Sequence, residues 1–97
     1  MGEEKKVVLA FAELLKEDGL FEYVISGRHI VGYYPLFRVA EKIGIDYEAA
    51  KNLLRKLSEK NHNIKFLGTL HRVDDDFIVG LDTEWFIKML KEVSEDE

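Results

Sequence analysis

Residues 36–60, LFRVAEKIGIDYEAAKNLLRKLSEK, restrict the possible folds more than any other part of the chain. Leu36, Val39, Ala40 and Ile43 recur at three- and four-residue spacing, which puts them on one face of a short helix. Gly44 follows at once, where helices commonly end in a left-handed residue that glycine adopts without steric penalty. Asp46 is then placed to cap a second helix by accepting a backbone N–H. Along that helix Ala49, Ala50, Leu53, Leu54 and Leu57 form the next apolar stripe. Small Ala40 permits close approach, Gly44 makes the turn, and Ile45 fills the gap between the two helices.

The flanking segments read as alternating helical and extended structure. Residues 5–18 carry Val7, Val8, Phe11, Leu14 and Leu15 on one helical face, with Gly19 as the stop. Residues 20–34 are rich in strand formers, and Ser26-Gly27-Arg28 interrupts them with turn chemistry, so a short hairpin or a single strand with an irregular loop is expected. Pro35 suits the first turn of the helix that follows, where its missing N–H is tolerated. Residues 64–73 and 77–81 read as two strands joined by an Asp74-Asp75-Asp76 turn. Asp82 or Thr83 can cap a last helix bearing Trp85, Phe86, Met89, Leu90 and Val93, and residues 94–97 form an acidic tail. The expected core includes Phe11, Leu14, Val39, Ile43, Leu53, Leu57, Phe66 and Phe77.

Val39, Ala40, Ile43, Gly44, Ile45, Ala50 and Leu53 together resemble the helix-turn-helix pattern, an ordinary helical hairpin being the alternative. The whole order, α-β(β)-α-α-β-β-α, resembles the winged helix-turn-helix family of small prokaryotic and archaeal transcription regulators. That resemblance implies an α+β fold in one domain over residues 1–97, with the helix-turn-helix at 36–60, a hairpin wing at 64–81 and a C-terminal helix at 83–93. It also implies that the helix after Asp46 reads DNA and that the terminal helix mediates dimerisation. The hairpin-like segment 20–34 is longer than the single short strand usual in the family.

Charge distribution bears on that expectation. The chain carries a net charge of −5, which by itself argues against a polyanionic partner. Residues 36–73, however, hold eight basic and four acidic side chains, net +4, and that stretch spans the two helices and the outgoing wing strand. On the second helix Lys51, Asn52, Arg55 and Lys56 are expected opposite the apolar stripe; Asn pairs bidentately with adenine and Arg with guanine in the major groove. Lys56, Lys60, Lys65 and Arg72 are candidate phosphate contacts, and Tyr47 a candidate contact to a phosphate or a thymine methyl. Glu48 accepts from cytosine or repels phosphate, according to what it faces. The acidic Asp74–Asp76 tip is wrong for minor-groove insertion and must point away from DNA.

Other chemistries find less support. There is no cysteine, hence no disulfide framework or thiolate site, and His29, His62 and His71 lack metal-ligand spacing. Asp74–Asp76 lacks the spaced ligands of a calcium loop, the Gly27/Gly32 spacing does not form a phosphate-binding loop, and no serine sits in a nucleophile elbow. No metal, no cofactor and no enzymatic activity are expected. No apolar run reaches membrane-span length and the first residues do not make a signal peptide, so a cytoplasmic protein without a membrane partner is expected. Abundant Lys and Glu with little Gln is a thermophile-like composition. Val7, Val8, Phe11, Trp85, Phe86, Met89 and Leu90 offer more large apolar surface than one small core requires, which predicts a homodimer through the first and last helices. Two readings of function stand side by side: a sequence-preferring double-stranded DNA-binding regulator, and a winged-helix module that docks another protein without binding DNA.

Overall fold

The computed structural model describes residues 2–19, 22–67 and 76–95. They form an α+β arrangement of four helices and one antiparallel sheet: α1 (Gly2–Asp18), β1 (Glu22–Ile25), β2 (Arg28–Pro35), α2 (Leu36–Ile43), α3 (Tyr47–Lys60), β3 (Ile64–Leu67), β4 (Ile78–Asp82) and α4 (Thr83–Glu95). The sheet order is β1-β2-β4-β3, so the strand preceding the helix pair lies beside the last strand. This layout is compatible with a winged-helix-like fold. Residues 68–75 lie outside the described residues, and with them the expected outer part of the wing, His71, Arg72, Asp74 and Asp75. Among the described residues no helix is long and apolar enough to cross a membrane.

The junction between α2 and α3 follows local chemistry. Gly44 is left-handed at φ 86°, ψ 31°, and its N–H donates to Ala40 O at 2.9 Å. Asp46 caps α3 by accepting from Ala49 N at 2.8 Å. Of the two forms open for residues 20–34, the structure takes the hairpin, with β1 and β2 joined through Ser26-Gly27. Pro35 ends β2 and sits at the N-cap of α2, one residue before the first helical turn. Asp82 caps α4, accepting from Trp85 N at 3.1 Å.

All four helices pack on one face of the sheet. Val7, Val8, Phe11 and Leu14 of α1, Leu36 and Val39 of α2, Ala50 and Leu54 of α3, and Phe86 and Met89 of α4 share a single cluster with Val31, Ile64, Val79 and Leu81 of the strands. Two expectations need correction here. The inward stripe of α3 is Ala50, Leu54 and Leu57; Leu53 is half-buried outside the cluster and Ala49 is exposed. Val7, Val8 and Phe11 are fully buried and Phe86 and Met89 nearly so, with Trp85 and Leu90 packed against them, so the apolar surface assigned to a dimer is the interior of one chain. A sheet covered by helices at both ends of the sequence needs both apolar faces to close its core.

β2 carries a bulge that lets α1 approach. Gly32 pairs with Gly80 and Tyr34 with Val79, leaving Tyr33 as the extra residue at φ 67°. Phe11 packs over the gap, its ring edge-on to that of Tyr34 with centroids 5.5 Å apart. Tyr34 donates its hydroxyl to Gly19 O at 3.1 Å, and burial, with Asp18 nearby, pushes its phenol up.

α1 and α2 are further joined by charge. Arg38 donates to Asp18 at 3.0 Å, and Lys42 donates to Glu17. That hydrogen bond holds the Glu17 carboxyl below its ordinary value of 4.5 and the Lys42 ammonium above its ordinary 10.5. A depressed carboxyl stabilises the fold above its unfolded-state value, and that contribution is lost as pH falls through the folded one. A raised ammonium stabilises it below its unfolded-state value, and the contribution is lost as pH rises through the folded one. Lys42→Met should therefore lower the urea midpoint only between about those two ordinary values, and by a small amount because Glu17 is exposed. A difference from wild type that persists in acid, well below the Glu17 range, would show that the lysine acts through its packing instead.

Candidate nucleic-acid interface

α3 turns about 100° per residue, so the burial of Ala50, Leu54 and Leu57 fixes what the opposite side presents. Glu48, Asn52, Arg55, Lys56 and Glu59 are exposed there, and Lys60 is exposed beyond them at the last turn. The surface is polarised along the helix. Glu48 lies in the first turn, near the capping Asp46, whereas Arg55, Lys56 and Lys60 occupy the C-terminal half. Cations at that end are also stabilised by the helix dipole.

Other expected members of the site are placed differently. Lys51 lies on the flank, half-buried, with its ammonium 5.1 Å from the ring centroid of Phe77. Phe77 in turn stacks on Phe66 at 5.3 Å, so Lys51 closes the seam between α3 and the β3–β4 pair. Lys65 alternates with Ile64 and Phe66 along β3 and therefore belongs to the sheet face turned away from the helices. Arg72 is outside the described residues. Asn52, Arg55, Lys56 and Lys60 are thus brought together on one helix, with Glu48 beside them and Lys65 apart.

Tyr47 and Asp76 make the largest departure from expectation. The sequence places Asp76 in a solvated acidic tip, yet it is only 6% exposed. Its Oδ2 accepts from Phe37 N at 2.8 Å, capping α2; its Oδ1 accepts from the Tyr47 hydroxyl at 2.5 Å and from its own neighbour Phe77 N at 2.8 Å. One carboxylate thereby ties the first turn of α2, the first turn of α3 and the start of β4. Three donors satisfy the buried charge. The Tyr47 hydroxyl is held inward, while Tyr47 keeps 37% and Phe37 46% of its surface exposed. Phe37 and Glu59 join this surface beyond the residues expected there from the sequence. Phe37 does carry a signal, since it interrupts the stripe of Leu36, Val39, Ala40 and Ile43 as an apolar residue off the buried face.

A separate open cleft of about 470 Å³ lies at the far end of the sheet, lined by Glu22, Arg28, His29, Asp82, Thr83 and Ile87. Its charged groups serve one another: Arg28 Nε donates to Asp82 at 2.8 Å and its Nη2 to Asn63 Oδ1 at 2.9 Å, and Thr83 donates to Glu22 at 3.1 Å. Among the described residues no group of three His, Asp or Glu side chains is placed to hold a metal ion.

No family model matches the chain, and no curated protein or solved structure matches it either.

Proposed function

We propose that the chain is a winged helix-turn-helix protein that binds double-stranded DNA with sequence preference, as a transcription regulator does, inserting α3 into the major groove. One observation carries this reading. A helix pair with a left-handed glycine turn and an Asp-capped second helix presents Asn52, Arg55 and Lys56 outward from a buried Ala50/Leu54/Leu57 face. Asn52 and Arg55 suit base edges, and Lys56 and Lys60 suit phosphates. The β3–β4 pair beside α3 corresponds to the base of the wing. Val7, Val8, Phe11, Phe86 and Met89, expected at a dimer contact, lie in the interior of the chain, so this reading does not rest on one.

The test is titration of labelled duplexes, random and genomic, at low and moderate salt. Asn52→Ala should weaken preferred duplexes by about 1–3 kcal/mol and flatten discrimination between sequences. The Arg55/Lys56/Lys60 triple alanine variant should weaken every duplex and reduce the salt slope by about 3, close to one for each phosphate no longer neutralised. No binding tighter than about 100 µM at low salt, the weak end of non-specific affinity, removes the proposal.

A second reading rests on a specific observation: Glu48 and Glu59 share the outward face of α3, and exposed Phe37 and Tyr47 adjoin its first turn. An acidic and apolar surface of that kind suits a protein with a basic, aliphatic patch. Equal behaviour of wild type and the triple variant toward DNA would favour it.

A further inference from the structure

Resting on the DNA-binding reading, we infer that Phe37 and Tyr47, set in place by Asp76, form an apolar contact that reads the C5-methyl group of thymine at the N-terminal end of α3. The starting point is the poor fit of this end of the surface to a phosphate. Two donors at this end, the Phe37 amide and the Tyr47 hydroxyl, already donate to the two oxygens of Asp76. The α3 N-terminus is capped by Asp46, whose carboxylate accepts from Ala49 N. Glu48 stands exposed in the first turn of α3, and Glu41, one turn beyond Phe37 on α2, is exposed as well. Lys51, one turn along α3 from Tyr47, has its ammonium over the Phe77 ring. Glu41, Asp46, Glu48 and Asp76 put four carboxylates on the segments that meet at this end, and the Lys51 ammonium is engaged, which disfavours a phosphate here, in contrast to the Arg55/Lys56/Lys60 end.

What this end does offer is ring surface. Phe37 is 46% exposed and Tyr47 37%, and both residues are tied to one buried carboxylate, which limits how far either can move. In the major groove the apolar feature presented by a base pair is the thymine methyl, and Phe is among the side chains that contact it. The hydroxyl bond to Asp76 decides between the two partners open to Tyr47 from sequence: a phosphate needs the hydroxyl, a methyl needs only the ring. Asp76 is accordingly a positioning residue for this contact, acting through Tyr47 and the first turn of α2.

The experiment alters the DNA before it alters the protein. Duplexes selected by the wild-type chain from a random pool are resynthesised with each dT replaced singly by dU, which deletes one methyl group and leaves the pairing edges intact. At one position at least, dU should weaken binding by about fourfold, the value of burying one methyl-sized group. Phe37→Ala should abolish that ratio, Tyr47→Phe should shrink it by loosening the ring, and Lys60→Ala should leave it intact while weakening dT and dU duplexes equally. Urea melts of each variant exclude unfolding as the cause. Selected sites without thymine, equal affinity for dT and dU at every position, or a dT/dU ratio that survives Phe37→Ala would each overturn the inference while leaving DNA binding standing. Failure of the wild-type chain to bind any duplex would overturn both readings, and so differs from failure of this one.

Discussion

Gly32→Ala should lower the unfolding free energy by about 3–5 kcal/mol, near the upper end of single-residue effects. Two costs coincide at this position. Gly32 has φ +102°, a conformation that side-chain-bearing residues rarely adopt, and forcing it costs on the order of 1–3 kcal/mol. A Cβ there would also stand 2.4 Å from Phe11 Cε2, well inside van der Waals contact. Phe11 has no room to yield, because it is fully buried and its ring is braced edge-on against Tyr34. Overpacking of a closed core adds roughly another 1–3 kcal/mol. Gly44→Ala separates the two effects: it too has a positive φ, +86°, but a Cβ there would meet nothing within 4 Å. It should cost only about 1 kcal/mol, the low end of backbone strain. Equal losses in urea unfolding for the two variants would mean that α1 does not press on β2 as described.

The contrast between those glycines also shows what could be read from the sequence. Gly44 lies between an apolar stripe and an Asp cap, all within a dozen residues, and hydrogen bonds of short sequence separation set its geometry. Gly32 owes its role to Phe11, twenty-one residues earlier, and to a bulge opposite Gly80 in β4, so nothing near it in the chain announces the requirement. The same division runs through the candidate site. The α2–α3 turn and the exposure of Asn52, Arg55 and Lys56 follow from periodicity, which is a local signal. The role of Asp76 does not, because its partners Phe37 and Tyr47 lie 39 and 29 residues away, and three consecutive aspartates read as a solvated turn. Arg28 and Asp82 pair across 54 residues and are equally invisible in the sequence. The residues assigned to a dimer contact are misjudged for a related reason: apolar faces at opposite ends of the chain look surplus until the sheet between them is seen to need both.

Leu54→Ala should cost about 2–5 kcal/mol, and Leu53→Ala clearly less, about 1 kcal/mol. Leu54 is fully buried in the core cluster, so its truncation leaves a cavity among side chains that collapse only partly. Leu53 is half-buried and lies outside that cluster, so solvent and neighbouring side chains can occupy much of what it vacates. The order of the two losses matters beyond stability. Adjacent residues on a helix differ by about 100° in direction, so the identity of the buried leucine fixes which side chains α3 presents. With Leu54 inward, Glu48, Asn52, Arg55 and Glu59 point outward and Lys51 turns against Phe77. With Leu53 inward instead, the helix would be rotated by about one residue's turn: Lys51 would move to the outer face, Arg55 would stay near it, and Asn52 and Lys56 would turn away from it. Denaturation of the two variants beside wild type therefore measures the orientation of the proposed reading helix without any DNA present. A larger loss for Leu53→Ala than for Leu54→Ala would overturn that orientation, and with it the roles given to Asn52 and Lys56.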